Sequence, residues 1–370
     1  MLSCATGCNH SLFVDERGEV WGCGDNYARQ LGPGTRFYFE LHKIEELPAN
    51  IKAVACANDY SLFLDEDGIV WKIGKGPRIN GEPSPTPTKF ELGVPVTFMA
   101  GGQQASIFID QDGGVWAYGY NFFHSIGLPE EKKYTVPTKI TNLPQIIMVS
   151  CGDTHSLFLD AERAVWTTGK NRNGELGLGD NTNRTEVSKI DGLPEIKCVS
   201  CFSRHSLFLD MEGRVWGTGD NSAGQLGINS QRAISTPHHL DSLPPIRSIS
   251  AGYGHSLFAD ENGSAWSCGE NRFGQLGLGD KQWRNIPTKV PKLSRVSGIV
   301  ASKHHSFFIE DDGSVWACGS NQKGQLSFHN SLVHVLTSAC KKKVKKISHL
   351  KLTMSLLVDF SENSIKSARV

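Results

Sequence analysis

The chain has 370 residues, with 38 lysines and arginines against 38 aspartates and glutamates. That balance leaves no global field to draw the protein onto nucleic acid or chromatin, and neither is expected as a partner. No signal-peptide-like segment and no run of about 18 apolar residues is present, so secretion by that route and membrane insertion are not expected either.

Seven tryptophans, Trp21, Trp71, Trp116, Trp166, Trp216, Trp266 and Trp316, recur at intervals of 50, 45, 50, 50, 50 and 50 residues, and only Trp283 stands outside the series. A period of this length marks a repeat architecture. Within each repeat a serine stands ten residues before the tryptophan: Ser11, Ser61, Ser106, Ser156, Ser206, Ser256 and Ser306. Three apolar residues follow it, such as Leu157, Phe158 and Leu159, a short strand covered on both faces. Next comes acidic-x-x-Gly (65–68, 260–263), a tight hairpin turn. A second strand carries the tryptophan and ends at a glycine. The Asn-x-x-Gly-Gln-Leu-Gly stretch is a loop whose glycines permit positive φ. Pro-Thr-Lys-Ile (137–140) starts a further strand, and a β-rich run such as 146–150 leads into the next repeat.

About four short strands in about 50 residues is the content of one propeller blade. The expected fold is all-β, a seven-bladed β-propeller spanning 1–370 as one domain, closed by pairing of N- and C-terminal segments. The tryptophans are expected in the blade cores. Along the chain, the second repeat departs first: 76–90 is proline-rich and lacks the Gln-Leu-Gly loop. The third carries an aromatic loop at Phe122, Phe123 and His124. Residues 347–370 hold a decayed partial repeat, with Ser355 in the serine register and no tryptophan after it, suited to closing the ring.

Ten cysteines are present, several at repeated positions: Cys23, Cys268 and Cys318 share one, and Cys56, Cys151 and Cys201 another. They read as small buried thiols of a reducing compartment. Cys198 and Cys201 have Cys-x-x-Cys spacing on a strand, where i and i+3 point to opposite faces. The register histidines His10, His155, His205, His255 and His305 read as blade-packing residues, spread too far around a ring to share a metal ion. No metal site or cofactor is expected.

The pattern HSLFLD…G-x-V-W-x-x-G-x-N-x-x-G-Q-L-G, from 205–227, resembles the repeat of the regulator of chromosome condensation family over about residues 1–340. The resemblance implies a seven-bladed propeller. Its founding activity is guanine-nucleotide exchange on the GTPase Ran, while other members are scaffolds, trafficking factors, ubiquitin-ligase components or a plant photoreceptor. Fold alone does not choose among these. No phosphate-binding loop, HExxH or nucleophile elbow is present, so no catalytic residue is assigned. Exchange needs none of them, since it works by preferring the nucleotide-free GTPase. Exchange factors for Ran use an inserted hairpin wedge, for which the 50-residue spacings leave no room.

The residues just before each register histidine vary while their surroundings repeat. Asp59, Asp153, Arg204, Tyr253 and His304 are therefore the candidate partner-binding set, with solvated loop tips as the alternative reading. In Ran exchange factors, acidic and histidine side chains at this position contact the GTPase. Lys341, Lys342, Lys343, Lys345 and Lys346 read either as a nuclear localisation signal or as a solvated lysine-edged strand. Relatives that bind chromatin use a basic N-terminal tail, whereas this sequence starts in a blade at Leu2. The expected function is protein recognition, cytoplasmic or nuclear, regulating a Ran- or Rab-like small GTPase, with guanine-nucleotide exchange the activity to test. The alternatives are a non-catalytic adaptor or scaffold and the substrate-recognition part of a ubiquitin-ligase assembly.

Overall fold

The computed structural model describes residues 4–15, 17–76, 83–327 and the backbone of a last strand, Leu332–Ser338. The chain forms seven four-stranded antiparallel sheets, each a meander in chain order. They take residues 4–43, 51–90, 96–140, 146–189, 196–239, 246–289 and 296–338, numbered here as blades 1 to 7. The first strands of all seven line a central channel. The expected all-β, seven-bladed propeller is the architecture observed.

The expected closure by pairing of N- and C-terminal segments falls on residues outside those described. Among the described residues every sheet is drawn from one continuous stretch, and blade 7 meets blade 1 by packing. Phe307 sets its edge on Phe13 at 5.4 Å between ring centres. The Ser11 hydroxyl donates to the Gln325 carbonyl at 2.9 Å. Residues 347–370 and the lysines at 341–346 lie outside the described residues.

Blade 5 illustrates the repeat, with strands Ile196–Cys201, His205–Asp210, Val215–Gly219 and Ile234–His239. Its second strand is buried at every position, as a strand sandwiched between neighbouring blades must be. Phe208, like Phe63, Phe108, Phe158, Phe258 and Phe308, is fully buried and forms the blade core. At the hairpin, Asp210 Oδ1 accepts from the backbone N–H of Glu212 and Arg214 at 3.0 and 2.8 Å. Gly213 closes the turn at φ 81°, a backbone that favours glycine. In blade 4 Arg163 takes that place at φ 67°.

The tryptophans correct an expectation. All seven are only partly buried, and all but Trp21 pack against a core cluster from its edge. Each indole N–H donates to the acidic residue six positions earlier, as Trp216 Nε1 does to Asp210 Oδ2 at 3.1 Å and Trp316 Nε1 to Glu310 Oε2 at 2.6 Å. The tryptophan is thus the clamp on the hairpin. The phenylalanine paired with it across the ladder is the core residue.

Blade-to-blade seams use the histidine register, as expected. His155, His205 and His255 present Nε2 to the hydroxyls of Ser206, Ser256 and Ser306 in the following blade, at 2.9, 3.0 and 3.0 Å. Each of these serines donates onward to a carbonyl of the loop behind it: Glu175, Gln225 and Gln275, each at 2.7 Å. The serine proton is therefore spent, and the histidine must be the donor. Burial holds His205 down to about 4 and His155 and His255 to about 3, so all three are neutral.

Candidate functional site

Two kinds of loop open on one end of the ring: those joining first to second strands, and the longer ones joining third to fourth. Both carry the residues that vary from blade to blade. The short loops are stitched to one another by main-chain bonds across blades. Asn58 N–H donates to Gln103 O at 2.9 Å, Asp153 N–H to Phe202 O at 2.5 Å, and Tyr253 N–H to Ser302 O at 3.1 Å. Variable side chains therefore sit on a fixed backbone frame.

The structure divides the expected set in two. Asp153 and Tyr253 lie two residues before the histidine register, together with Cys8, Ser203 and Lys303, and are half-buried. Asp59, Arg204 and His304 lie one residue before it, where Asp59 and Arg204 are exposed and His304 is half-buried. Cys8 is under the electrostatic influence of Asp153, Lys303 and Asp59, which places loops from four blades around one region. Asp153 itself is pushed up to about 6 by burial, against the pull of Ser203, Lys303 and Arg204. Asp59 is raised by burial, opposed by Lys75, and its carboxylate accepts from Asn58 Nδ2 at 3.0 Å.

His304 and Tyr253 come together, with ring centres 5.6 Å apart. Two residues absent from the expected set join them. Phe273 lies 4.8 Å from the His304 ring, and the Arg272 guanidinium lies 4.9 Å over the Phe273 face. Arg272 Nε donates to Glu270 Oε1 at 2.5 Å. Burial, with Arg272 and Lys303 nearby, holds His304 down to about 4, and its Nδ1 is buried without a partner. Arg272 and Phe273 occupy the two variable places of the Asn-x-x-Gly loop. An aromatic and a cation side by side in a slot that blade 5 fills with Ser222 and Ala223 was the available signal.

Glu175 is the other residue missed. It stands where blades 1, 5, 6 and 7 have Gln30, Gln225, Gln275 and Gln325. Those glutamines accept from the backbone two residues earlier, as Gln225 Oε1 does from Ala223 N–H at 3.0 Å. Glu175 Oε2 makes the same bond to Asn173 N–H at 2.6 Å, while Oε1 is buried with no partner. Burial raises its carboxyl above the ordinary value, opposed by backbone N–H groups, Lys170 and Arg204.

Nine cysteines of the described residues are buried and form no disulfide. Burial pushes Cys151 and Cys198 up to about 12, so these thiols stay protonated and unreactive. Cys198 and Cys201 do not form a paired site: Cys201 Sγ turns to Ser150 O at 3.3 Å in the preceding blade. Among the described residues no three metal-ligating side chains converge, and no helix is long and apolar enough to cross a membrane.

The RCC1-like domain model matches residues 1–243, and the regulator of chromosome condensation (RCC1) repeat matches 262–309, with a second model of that repeat matching 246–275 and 296–325. Human WBSCR16 has a similar fold, with a TM-score of 0.78 at 20% identity, covering 88% of this chain and 94% of its own. Yeast RCC1 (Prp20), solved bound to Kap60, gives 0.77 at 23% identity over 88% of this chain and 84% of its own. Prp20p of Saccharomyces cerevisiae, studied with its binding to Gsp1p and histones, gives 0.73 at 21% over 81% and 80%. No curated protein sequence matches the chain.

Proposed function

The chain belongs to the RCC1-like family, and from that premise we propose that it is a protein-recognition propeller regulating a small GTPase through the loop end of the ring. The observation that carries this is the contrast in variability. Positions inside the blades repeat because packing repeats, whereas Cys8, Asn58, Gln103, Asp153, Ser203, Tyr253 and Lys303 share one place in the fold and differ in every blade. Cys8 and Ser203 of that set are buried, but the partly exposed Asp153, Tyr253 and Lys303, with the exposed Asp59 and Arg204 beside them, are held on a stiff frame and suited to reading one partner. Yeast Prp20p, similar in fold and studied for binding to Gsp1p, supports a GTPase as the partner class. Protonated thiols at repeated positions fit a reducing compartment, cytoplasm or nucleus.

Release of fluorescent GDP from a panel of Ran, Rab, Arf and Rho GTPases tests the reading. Faster release from one of them, lost in Arg204→Glu, is the expected result. Arg204 is exposed, so its reversal leaves the fold intact. A folded protein that accelerates none of them is an adaptor. That second reading has its own support: the described loops at this end hold no long insertion to act as a wedge.

A further inference from the structure

Net charge zero conceals an uneven distribution. At the hairpin end the exposed turn residues are predominantly acidic, among them Glu66, Asp67, Asp112, Glu162, Glu212 and Asp312. At the loop end the balance is reversed, but only over part of the ring. From blade 4 to blade 7 the loop end carries Arg172, Arg204 and Arg272, exposed, and Lys170, Lys303 and Lys323, half-buried, while the carboxylates of Asp180 and Asp280 in the longer loops are taken up by Arg184 and Arg284. They form one field: Lys170 and Arg204 both act on Glu175, Arg204 and Lys303 on Asp153, and Lys303 and Arg272 on His304.

The acidic groups interleaved with these cations are no more accessible than the lysines. Glu175 and Glu270 are buried, and Asp153 and Asp220 are half-buried. Burial raises the carboxyls of Glu175, Glu270 and Asp153 above their ordinary values. What this sector offers a partner is therefore cationic, with aromatic rings set among the charges. Lys303 Nζ lies 6.0 Å from the Tyr253 ring centre, and Lys170 Nζ 5.3 Å from that of Phe123. Blades 1 and 2 carry a mixed set at the same end, where Lys75 and Asp25 both act on the exposed Asp59 and Arg36 is exposed.

We infer that the loop end between blades 4 and 7 recognises an acidic polypeptide segment of the partner, with Arg204, Lys303, Arg272 and Lys170 meeting its carboxylates and the Tyr253, Phe273 and His304 rings supporting its apolar side chains. This rests on the loop end being the working face. Charge complementarity selects an anionic occupant. The acidic hairpin end and zero net charge disfavour a long polyanion, which would meet repulsion beyond this sector, and favour a short acidic stretch of protein.

The test is fluorescence anisotropy of the full chain with labelled octaglutamate, octalysine and a ten-base oligothymidylate. Octaglutamate is expected to bind at low salt, to weaken as salt screens the charges, and to lose at least about tenfold in affinity in the Arg204→Glu, Lys303→Glu double variant. Glu66→Lys with Glu212→Lys at the hairpin end should change little. Unaltered octaglutamate binding by the first double variant, or tighter binding of the oligothymidylate, overturns the inference. The GDP-release assay separates this from the GTPase reading. If octaglutamate fails to bind but Arg204→Glu still abolishes exchange, the acidic segment is wrong and the working face stands. If octaglutamate binds as expected and no GTPase responds, the face belongs to an adaptor.

Discussion

The seam between blades 5 and 6 and the seam between blades 2 and 3 solve one packing problem with different chemistry. At the first, His205 reaches Ser256 at 3.0 Å, Ser256 reaches Gln225 O at 2.7 Å, and Cys268 Sγ reaches the same carbonyl at 3.3 Å. Leu226 of the intervening loop is fully buried, plugging the groove. At the second seam that loop sequence is missing and Tyr60 replaces the histidine, with its hydroxyl 2.8 Å from Ser106. Lys72 takes a buried place where the other blades have glycine, alanine, serine or threonine. Aromatic rings fill the rest: Phe90 meets Tyr118 edge-on at 4.7 Å and Phe108 at 5.3 Å, and Tyr60 meets Tyr118 at 6.1 Å. The ring tolerates loss of a hydrogen-bonded ladder provided that volume is replaced.

The largest effects should come from emptying either seam. Leu226→Ala is expected to cost about 2–5 kcal/mol, and Tyr118→Ala about 3–5 kcal/mol, as buried large-to-small changes. Equal penalties by chemical denaturation mean that the aromatic seam is as tightly packed as the regular one. A Tyr118→Ala cost below about 1 kcal/mol would show it to be loose.

Acid should separate the seams next. The buried histidines are held at about 3 to 4, below the unfolded value of about 6.5, so the unfolded chain takes up protons first as pH falls. Their stabilisation is complete above about pH 6.5 and is lost on acidification, at up to about 1.4 kcal/mol per pH unit for each histidine. Thermal melts between pH 7 and about pH 4.5 should show a steep decline that His205→Gln makes shallower. A flat profile would mean that the histidines are charged or solvated. Tyr60 contributes nothing to this slope, so the aromatic seam is spared.

Much of this was legible in the sequence, and the exceptions have physical causes. Spacing revealed the strands, hairpins and blade number because each is local and repeated seven times. Depth is not local. Trp216 and Phe208 recur equally well, yet one is a partly exposed clamp and the other the core. The acidic residue six places before every tryptophan held the clue. At the loop end, the varying positions were visible, but not that adjacent residues such as Arg204 and Ser203 point one outward and one inward. Arg272 and Phe273 escaped because they sit inside a well-kept loop motif, in its two unconstrained places.

Glu175 offers a sharper comparison, since it breaks the pattern inside a regular seam. Glu175→Gln restores the residue of blades 1, 5, 6 and 7 and removes a buried carboxylate whose folded pKa is raised. A raised carboxyl favours the folded state only while protonated, so its penalty grows as pH rises above the unfolded value of about 4.3. The variant should be more stable than the wild type by about 1 kcal/mol at pH 7, with the gain vanishing near pH 4. A loss of stability at pH 7 would indicate that the charge is paired with Lys170 or Arg204.

The smallest effects belong to the face itself. Asp59 is exposed and its carboxylate accepts from its neighbour Asn58, so Asp59→Ala should stay within about 0.5 kcal/mol at neutral pH. Asp153→Asn should behave alike, but with a sign that depends on pH. Its carboxyl is pushed up to about 6, so the folded state prefers the neutral form. Below about pH 4 the wild type is protonated in both states and the variant gains nothing, whereas above about pH 6 it gains a little by losing a half-buried charge. Thermal melts at the two pH values read this directly. A clear loss in Asp153→Asn at pH 7 would make the carboxylate part of the frame that holds the loops together, leaving Asp59 and Arg204 as the residues free to meet a partner.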